Sequence, residues 1–139
     1  MKTFIHKIRV YFRDTDAGGV VYHANYLAFA EEARTQALLT LSPEYTNQAM
    51  MAKGEVFVVR RCEVDFIRPA KLDDELEIYS NVEELGGASA VFVQEIKRGE
   101  ELLVKLKIQV AAININTARP LRFNPQLKLE LKEYMKTEE

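Results

Sequence analysis

A chain of 139 residues has the length of one domain and can bury a single core. Hydrophobic residues at 47% and charged residues at 29% are ordinary for a globular protein. The net charge of -2 and the lone Cys62 exclude a protein built mainly to coat nucleic acid and an intrachain disulfide framework. Residues 1–10 are interrupted by charge every few positions, unlike a secretory signal. No stretch approaches the roughly 18 apolar residues of a membrane span. The expectation is one domain over residues 1–139, cytoplasmic, with no membrane span and no nucleic-acid partner.

Residues 3–13 alternate, with Ile8, Val10 and Phe12 on one face and Arg9, Tyr11 and Arg13 on the other, the period of a half-buried strand. Asp14-Thr-Asp-Ala-Gly-Gly19 is dense in turn and cap residues. Over residues 22–39 the spacing of Tyr26, Phe29, Ala30, Ala33, Ala37 and Leu38 predicts a long helix with one apolar stripe. Ser42-Pro43 reads as the cap and first position of a short second helix ending before Gly54.

Strand patterns follow over residues 56–66, 76–83, 88–97 and 102–115. Gly86-Gly87 and Arg98-Gly99-Glu100 serve as turns, and a short terminal helix is expected over residues 127–135. Cys62 falls on the apolar side of the first of these strands and is expected to be buried or half-buried. His6 shares parity with Ile8 and Val10 and reads as a structural end-of-strand residue. Successive strands joined by short turns imply an antiparallel sheet with one apolar face, and the long helix is its cover. The fold class is α+β, a sheet wrapped around one helix.

Asp16 lies between a strand and the long helix, followed by Gly18 and Gly19, which let the backbone approach a ligand or take positive φ. A helix N-terminus offers unpaired N–H groups and partial positive charge, able to polarise a carbonyl and hold an oxyanion. Beside such donors a carboxylate could attack a carbonyl or activate water. The plainer reading of an Asp before a helix is an N-cap, and with Asp14 nearby one acid could cap while the other stays free. His23 could donate to a substrate or position water, or simply finish the first helical turn. No G-x-S-x-G elbow, Walker loop, G-x-G-x-x-G or H-E-x-x-H occurs. Two histidines and one cysteine give no basis for a zinc site, and no cofactor is expected.

The run from Arg9 through Asp14-Thr-Asp-Ala-Gly-Gly-Val-Val-Tyr-His-Ala-Asn-Tyr26 resembles the 4-hydroxybenzoyl-CoA thioesterase family, in its YbgC-type branch associated with the bacterial Tol–Pal envelope system. The likeness continues through Phe57-Val-Val-Arg-Arg61, Arg68-Pro-Ala-Lys-Leu-Asp-Asp74 and the C-terminal strands. It implies a hotdog fold, a five-stranded antiparallel sheet around a long central helix. It also implies a dimer joined edge to edge with active sites at the interface, paired again into a tetramer. The implied reaction is hydrolysis of a small or medium acyl-CoA, or an acyl-carrier thioester, to acid and thiol.

Within that resemblance Asp16 is the catalytic aspartate, as nucleophile or general base. His23 is the branch's histidine, its backbone N–H the donor to the thioester carbonyl. A carboxylate of ordinary pKa, about 3.9, is a weak base at neutral pH, which tilts the reading towards nucleophilic attack. Gly19, Tyr22, Ser89, Arg68 and Arg119 are the expected substrate contacts, with Lys71, Lys97 and Arg98 as further candidates for the CoA phosphates. Two departures stand out. Phe12 replaces a tyrosine of some relatives, and Gly86-Gly-Ala-Ser89 lacks the basic residues other members use to grip CoA. An acyl carrier protein or an envelope-system protein would be a further partner. The rival readings are a hydratase of the same fold, which needs a closer Asp–His pair within an Asp-x-Asn motif, and a non-catalytic acyl-binding or scaffold protein.

Overall fold

The computed structural model describes residues 1–136. Five strands, β1 (Phe4–Arg9), β2 (Glu55–Phe66), β3 (Glu75–Leu85), β4 (Ser89–Arg98) and β5 (Glu101–Asn114), form one antiparallel sheet in the order β1-β3-β4-β5-β2. Helix α1 (Asn25–Leu41) covers its concave face. A short helix α2 (Asn47–Ala52) leads into β2, and α3 (Pro125–Lys132) closes the chain. This is the hotdog arrangement that the sequence led us to expect.

The packing follows from the α1 stripe. Tyr26, Phe29, Ala30, Ala33 and Ala37 are buried, and the three alanines let the helix axis approach the sheet closely. Opposite them lie Leu76, Ile78, Phe92, Ile96, Leu106 and Ile108, all from the inner faces of β3, β4 and β5. One polar residue crosses this core. Gln94 is fully buried and donates to the Ala30 carbonyl and to Ser80 Oγ at 3.0 and 2.9 Å. The turn residues sit where expected, with Gly86-Gly87 between β3 and β4 and Gly99 at positive φ between β4 and β5.

Four local expectations are corrected. The first strand ends at Arg9, because the Asp14 carboxylate takes the Tyr11 N–H and the chain curls into a 3-10 turn over Phe12–Asp14. Phe12 is therefore 80% exposed instead of facing the core beside Val10. The long helix starts at Asn25 and not at Tyr22, whose N–H is held by the Asp14 carbonyl. The second helix is divided: Ser42 caps a 3-10 turn over Pro43–Tyr45, and Thr46 caps α2. The terminal helix begins at Pro125, capped by Asn124, and Met135 pairs with Val82 beyond its end.

Cys62 is a further correction, since it is exposed. Its parity is apolar, but β2 is an edge strand lying beyond the reach of the single helix. Phe66 and Val59 on the same strand are exposed for the same reason. His6 is half-buried and bonds Glu32 of α1 at 2.6 Å, a structural link as expected.

The close helix–sheet approach predicts that Ala30→Leu overpacks the interface. The expected loss is about 1–3 kcal/mol of unfolding free energy, read from the denaturant midpoint at unchanged slope.

Candidate active site

The segment between β1 and α1 is a hairpin. Thr15 bridges Val21, the Asp16 N–H donates to the Val20 carbonyl, and the Gly19 N–H donates to the Asp16 carbonyl at 3.1 Å. Asp16 opens this turn, and Gly19 closes it at φ +77, a conformation that favours glycine. The second arm is anchored on the chain before β3: Val21 donates to Ala70, Val20 bridges Lys71, and Leu72 donates to the Gly19 carbonyl.

The two acids of the hairpin have opposite fates. Asp14 is 6% exposed and accepts from the Tyr11 N–H at 2.9 Å and from Asn25 Nδ2 at 2.8 Å, tying the end of β1 to the first residue of α1. Asp16 is exposed, and Oδ1 accepts the Gly18 N–H at 2.8 Å. A Cβ on Gly18 would come within 3.3 Å of that oxygen, so glycine there leaves the carboxylate room to fold back over the turn. Asp16 is thus a hairpin residue and does not cap the helix. The N-cap of α1 is Ala24, which has no side-chain cap.

That leaves the helix terminus open. Among the described residues no acceptor takes the backbone N–H of His23 or Ala24. The His23 ring is exposed, 4.5 Å from the Tyr22 ring and edge-on to Phe66 at 6.3 Å. Below it Tyr26 is buried, its hydroxyl accepting the Ala70 N–H at 2.9 Å. Burial raises the Tyr26 pKa and that hydrogen bond opposes the rise, so the residue stays a neutral phenol. An open cleft of about 230 Å³ lies here between Val21, His23, Tyr26, Phe66, Ile67 and Arg68. Asp16 does not line it.

Of the residues singled out from sequence, Asp16, Gly19, Tyr22 and His23 share this loop, and Arg68 borders the cleft. The Arg68 guanidinium is bound to Glu101 at 2.6 Å, however, and Glu101 is also held by Arg98, itself 2.6 Å from Asp74. Hydrogen bonds from Arg68 and then Arg98 lower the Glu101 pKa. Arg68 and Arg98 are therefore committed to an ion-pair cluster. Ser89 and Arg119 lie at the other end of the protomer. Ile67 and Arg68 hang from the Leu103 carbonyl while Ser89 pairs with Ala111, and these two β5 positions are about 26 Å apart at about 3.3 Å per residue.

Sequence reasoning passed over Asn25 and Arg122. Asn25 orients the buried Asp14, and only its place in the quoted run hinted at a role. Arg122 lies against the Gly86–Ser89 turn, where a Cβ on Gly87 would be 3.4 Å from its guanidinium. The turn that carries no charge in sequence gains one from a distant segment. Tyr11, the hydroxyl-bearing neighbour of Phe12, lies beneath the Arg13 guanidinium at 4.9 Å. Among the described residues no three of His, Cys, Asp and Glu come together as a metal site, and no helix is long and apolar enough to cross a membrane.

The sequence pattern of the thioesterase superfamily matches residues 18–105. An acyl-CoA thioesterase YbgC of Haemophilus influenzae is 40% identical over 126 residues, spanning 90% of this chain and 91% of its own. An acyl-CoA thioester hydrolase YbgC of Escherichia coli is 43% identical over 119 residues, spanning 86% and 84%. A probable thioesterase of Bartonella henselae, known by crystal structure, superposes with a TM-score of 0.82 at 38% identity over 88% of this chain and 100% of that one. The chain belongs to the thioesterase superfamily, in its YbgC branch, and is by that membership a thioester hydrolase.

The two hairpin acids should separate in a stability assay. Asp14→Ala breaks two bonds to a buried charge and is expected to cost about 1.5–3 kcal/mol, whereas Asp16→Ala costs about 0.5 kcal/mol or less. Chemical denaturation of both variants checks this. The lowered Glu101 pKa means its stabilisation is present above the ordinary carboxylate range and is lost as pH falls through the depressed value. Glu101→Gln should lower Tm at pH 7, and the gap to the parent should close below about pH 4.

Proposed function

We propose that this protein is an acyl-CoA thioesterase, hydrolysing a small or medium acyl-CoA to free acid and CoA, with Asp16 as the catalytic carboxylate. The observation that carries the reading is an exposed, turn-held Asp16 on the hairpin that leads into the uncapped N-terminus of α1, whose His23 N–H has no acceptor of its own among the described residues. The YbgC relatives supply the substrate class.

A thioester carbonyl over the start of α1 would accept from the His23 N–H and lie in the positive end of the helix field. Attack at the carbonyl carbon then places the developing oxyanion on that donor. In the nucleophilic route an Asp16 oxygen forms the new bond, the C–S bond breaks, CoA leaves as thiolate, and water hydrolyses the resulting anhydride to the acid. In the base route Asp16 takes a proton from the water that attacks. A carboxylate is a weak base in neutral water, which favours the first route. The His23 ring, packed against Tyr22, supports the loop and the water near it.

The same reading calls for a second copy. β2 is a free edge whose exposed apolar residues include Val59 and Phe66, with Ile67 just beyond its end. Two such edges paired antiparallel would set the Phe66 end of one protomer against the Glu55 end of its partner. That would bring the end of one copy that carries Ser89, Arg119 and Arg122 towards the Asp16 of the other, where the CoA phosphates need cations. The cytoplasm, where acyl-CoA is found, is the proposed address.

Thiol release from a panel of acyl-CoAs is the test. Asp16→Asn is expected to lower kcat about a thousandfold or more without unfolding the protein, and His23→Ala to lower it less, since the backbone donor survives. Unchanged turnover in Asp16→Asn would remove Asp16 from the chemistry. Absence of turnover on every thioester would favour an acyl-binding protein.

A further inference from the structure

Residues 67–74 connect β2 to β3 and carry the Asp16 hairpin. Val21 donates to the Ala70 carbonyl, Val20 bridges Lys71, and Leu72 donates to the Gly19 carbonyl. Gly19 and Val20 in turn hold the Asp16 backbone, one donating to its carbonyl and the other accepting its N–H. The position of Asp16 is therefore set by the loop on which its hairpin rests.

Every backbone N–H from Ala70 to Asp74 has an acceptor: the Tyr26 hydroxyl, the Asp74 carboxylate, and the carbonyls of Gly19, Val10 and Lys71. Only one of these acceptors is charged. Asp74 Oδ2 takes the Lys71 N–H at 2.9 Å and closes a turn in which Asp73 sits at φ +71. That left-handed conformation is unfavourable for a residue with a β-carbon and persists where surrounding contacts impose it. Arg98, at the end of β4, donates Nη1–H to the same Oδ2 at 2.6 Å and lies 3.5 Å from the Pro69 carbonyl. Its Nη2 and Nε donate to Glu101 Oε1 at 2.7 and 3.2 Å, so the guanidinium is aimed at the turn from behind. The Arg98 and Asp74 side chains are 31% and 20% exposed, and a charge-assisted bond so placed is less screened than one in open solvent.

We propose that Arg98 is a positioning residue for thioester hydrolysis, bracing Asp74 and through it the loop that fixes the Asp16 hairpin. Among the described residues its bonds run to Asp74, Glu101 and Pro69 and not to Asp16, and it does not line the cleft beside His23. Its contribution is to the geometry of attack, where a shift of about 1 Å can lower the rate about a hundredfold. The inference rests on Asp16 as the catalytic carboxylate. A cation engaged with CoA phosphates, the other role open to Arg98, would act on KM instead.

Steady-state kinetics on the acyl-CoA that the parent turns over fastest, joined to amide hydrogen exchange, tests this. Arg98→Met is expected to lower kcat about tenfold or more with KM within about twofold. Asp74→Asn keeps an oxygen for the Lys71 N–H but loses the ion pair; it should show the same loss and carries the test if Arg98→Met does not fold. The double variant should be no worse than either single one. Arg98→Lys keeps the charge and should recover about a third of kcat or more. Lys107→Met breaks an ion pair with Glu83 elsewhere on the sheet and should leave kcat unchanged. Independently of turnover, Arg98→Met should speed exchange at the Val21 and Leu72 amides about tenfold, with a smaller change at the central β4 amides. Parent-like kcat in Arg98→Met and Asp74→Asn, a change confined to KM, additive losses, no recovery in Arg98→Lys, an equal loss in Lys107→Met, or exchange that rises equally in loop and sheet would each overturn the proposal. Full turnover by Asp16→Asn sinks the catalytic assignment whatever Arg98 does. Parent-like kcat in Arg98→Met beside an inactive Asp16→Asn sinks this inference alone.

Discussion

One helix has to cover a five-stranded sheet, and it cannot reach across all of it. The alanine face of α1 settles deeply onto β3, β4 and β5, where the volume removed by small side chains is recovered as close contact. The consequence is that β2, at the far edge, has an apolar parity with nothing lying over it. The cleft beside His23 and Phe66 opens along this uncovered strip. The same shortfall leaves a strand edge with unpaired backbone groups, which proteins do not leave bare without reason.

Around that cleft, chemistry and architecture are divided between neighbouring acids. Asp14 gives up its carboxylate to Tyr11 and Asn25, and that buried cross-link ties the hairpin to the first residue of α1. Asp16, two residues on, is exposed and holds only the Gly18 N–H of its own turn. Such a division is economical, because a carboxylate engaged in holding the backbone is a poor attacking group, and a free one needs something else to hold its loop. The positive end of α1 is likewise left without a side-chain cap, at some cost in helix stability.

Much of the architecture was legible in the residue pattern. Strand alternation and the Tyr26–Ala37 stripe are local consequences of side-chain periodicity, and they survive in the structure with small shifts at the ends. Where the reading went astray, a single polar contact had won over propensity. The Asp14 carboxylate bends residues 12–14 off the sheet and exposes Phe12, which alternation had placed in the core. Cys62 is misjudged because parity reports a face and not whether anything covers it. Arg68 reads as a free cation until Glu101 is seen beside it, and Arg122 is silent until the chain returns it to Gly87.

The sequence alone therefore determined the class of fold, the family, and the short run around Asp16 and His23 in which chemistry is expected. These depend on neighbours within a few residues, where covalent geometry carries the information. Tertiary structure decided which of two adjacent acids is free, which cations are already neutralised, and that Ser89 and Arg119 lie at the far end of the protomer from Asp16. It also set the Tyr26 hydroxyl on the Ala70 N–H and Arg98 on Asp74, two braces of one loop. Pairings of this kind are made by the closure of the sheet around the helix, which no local pattern encodes.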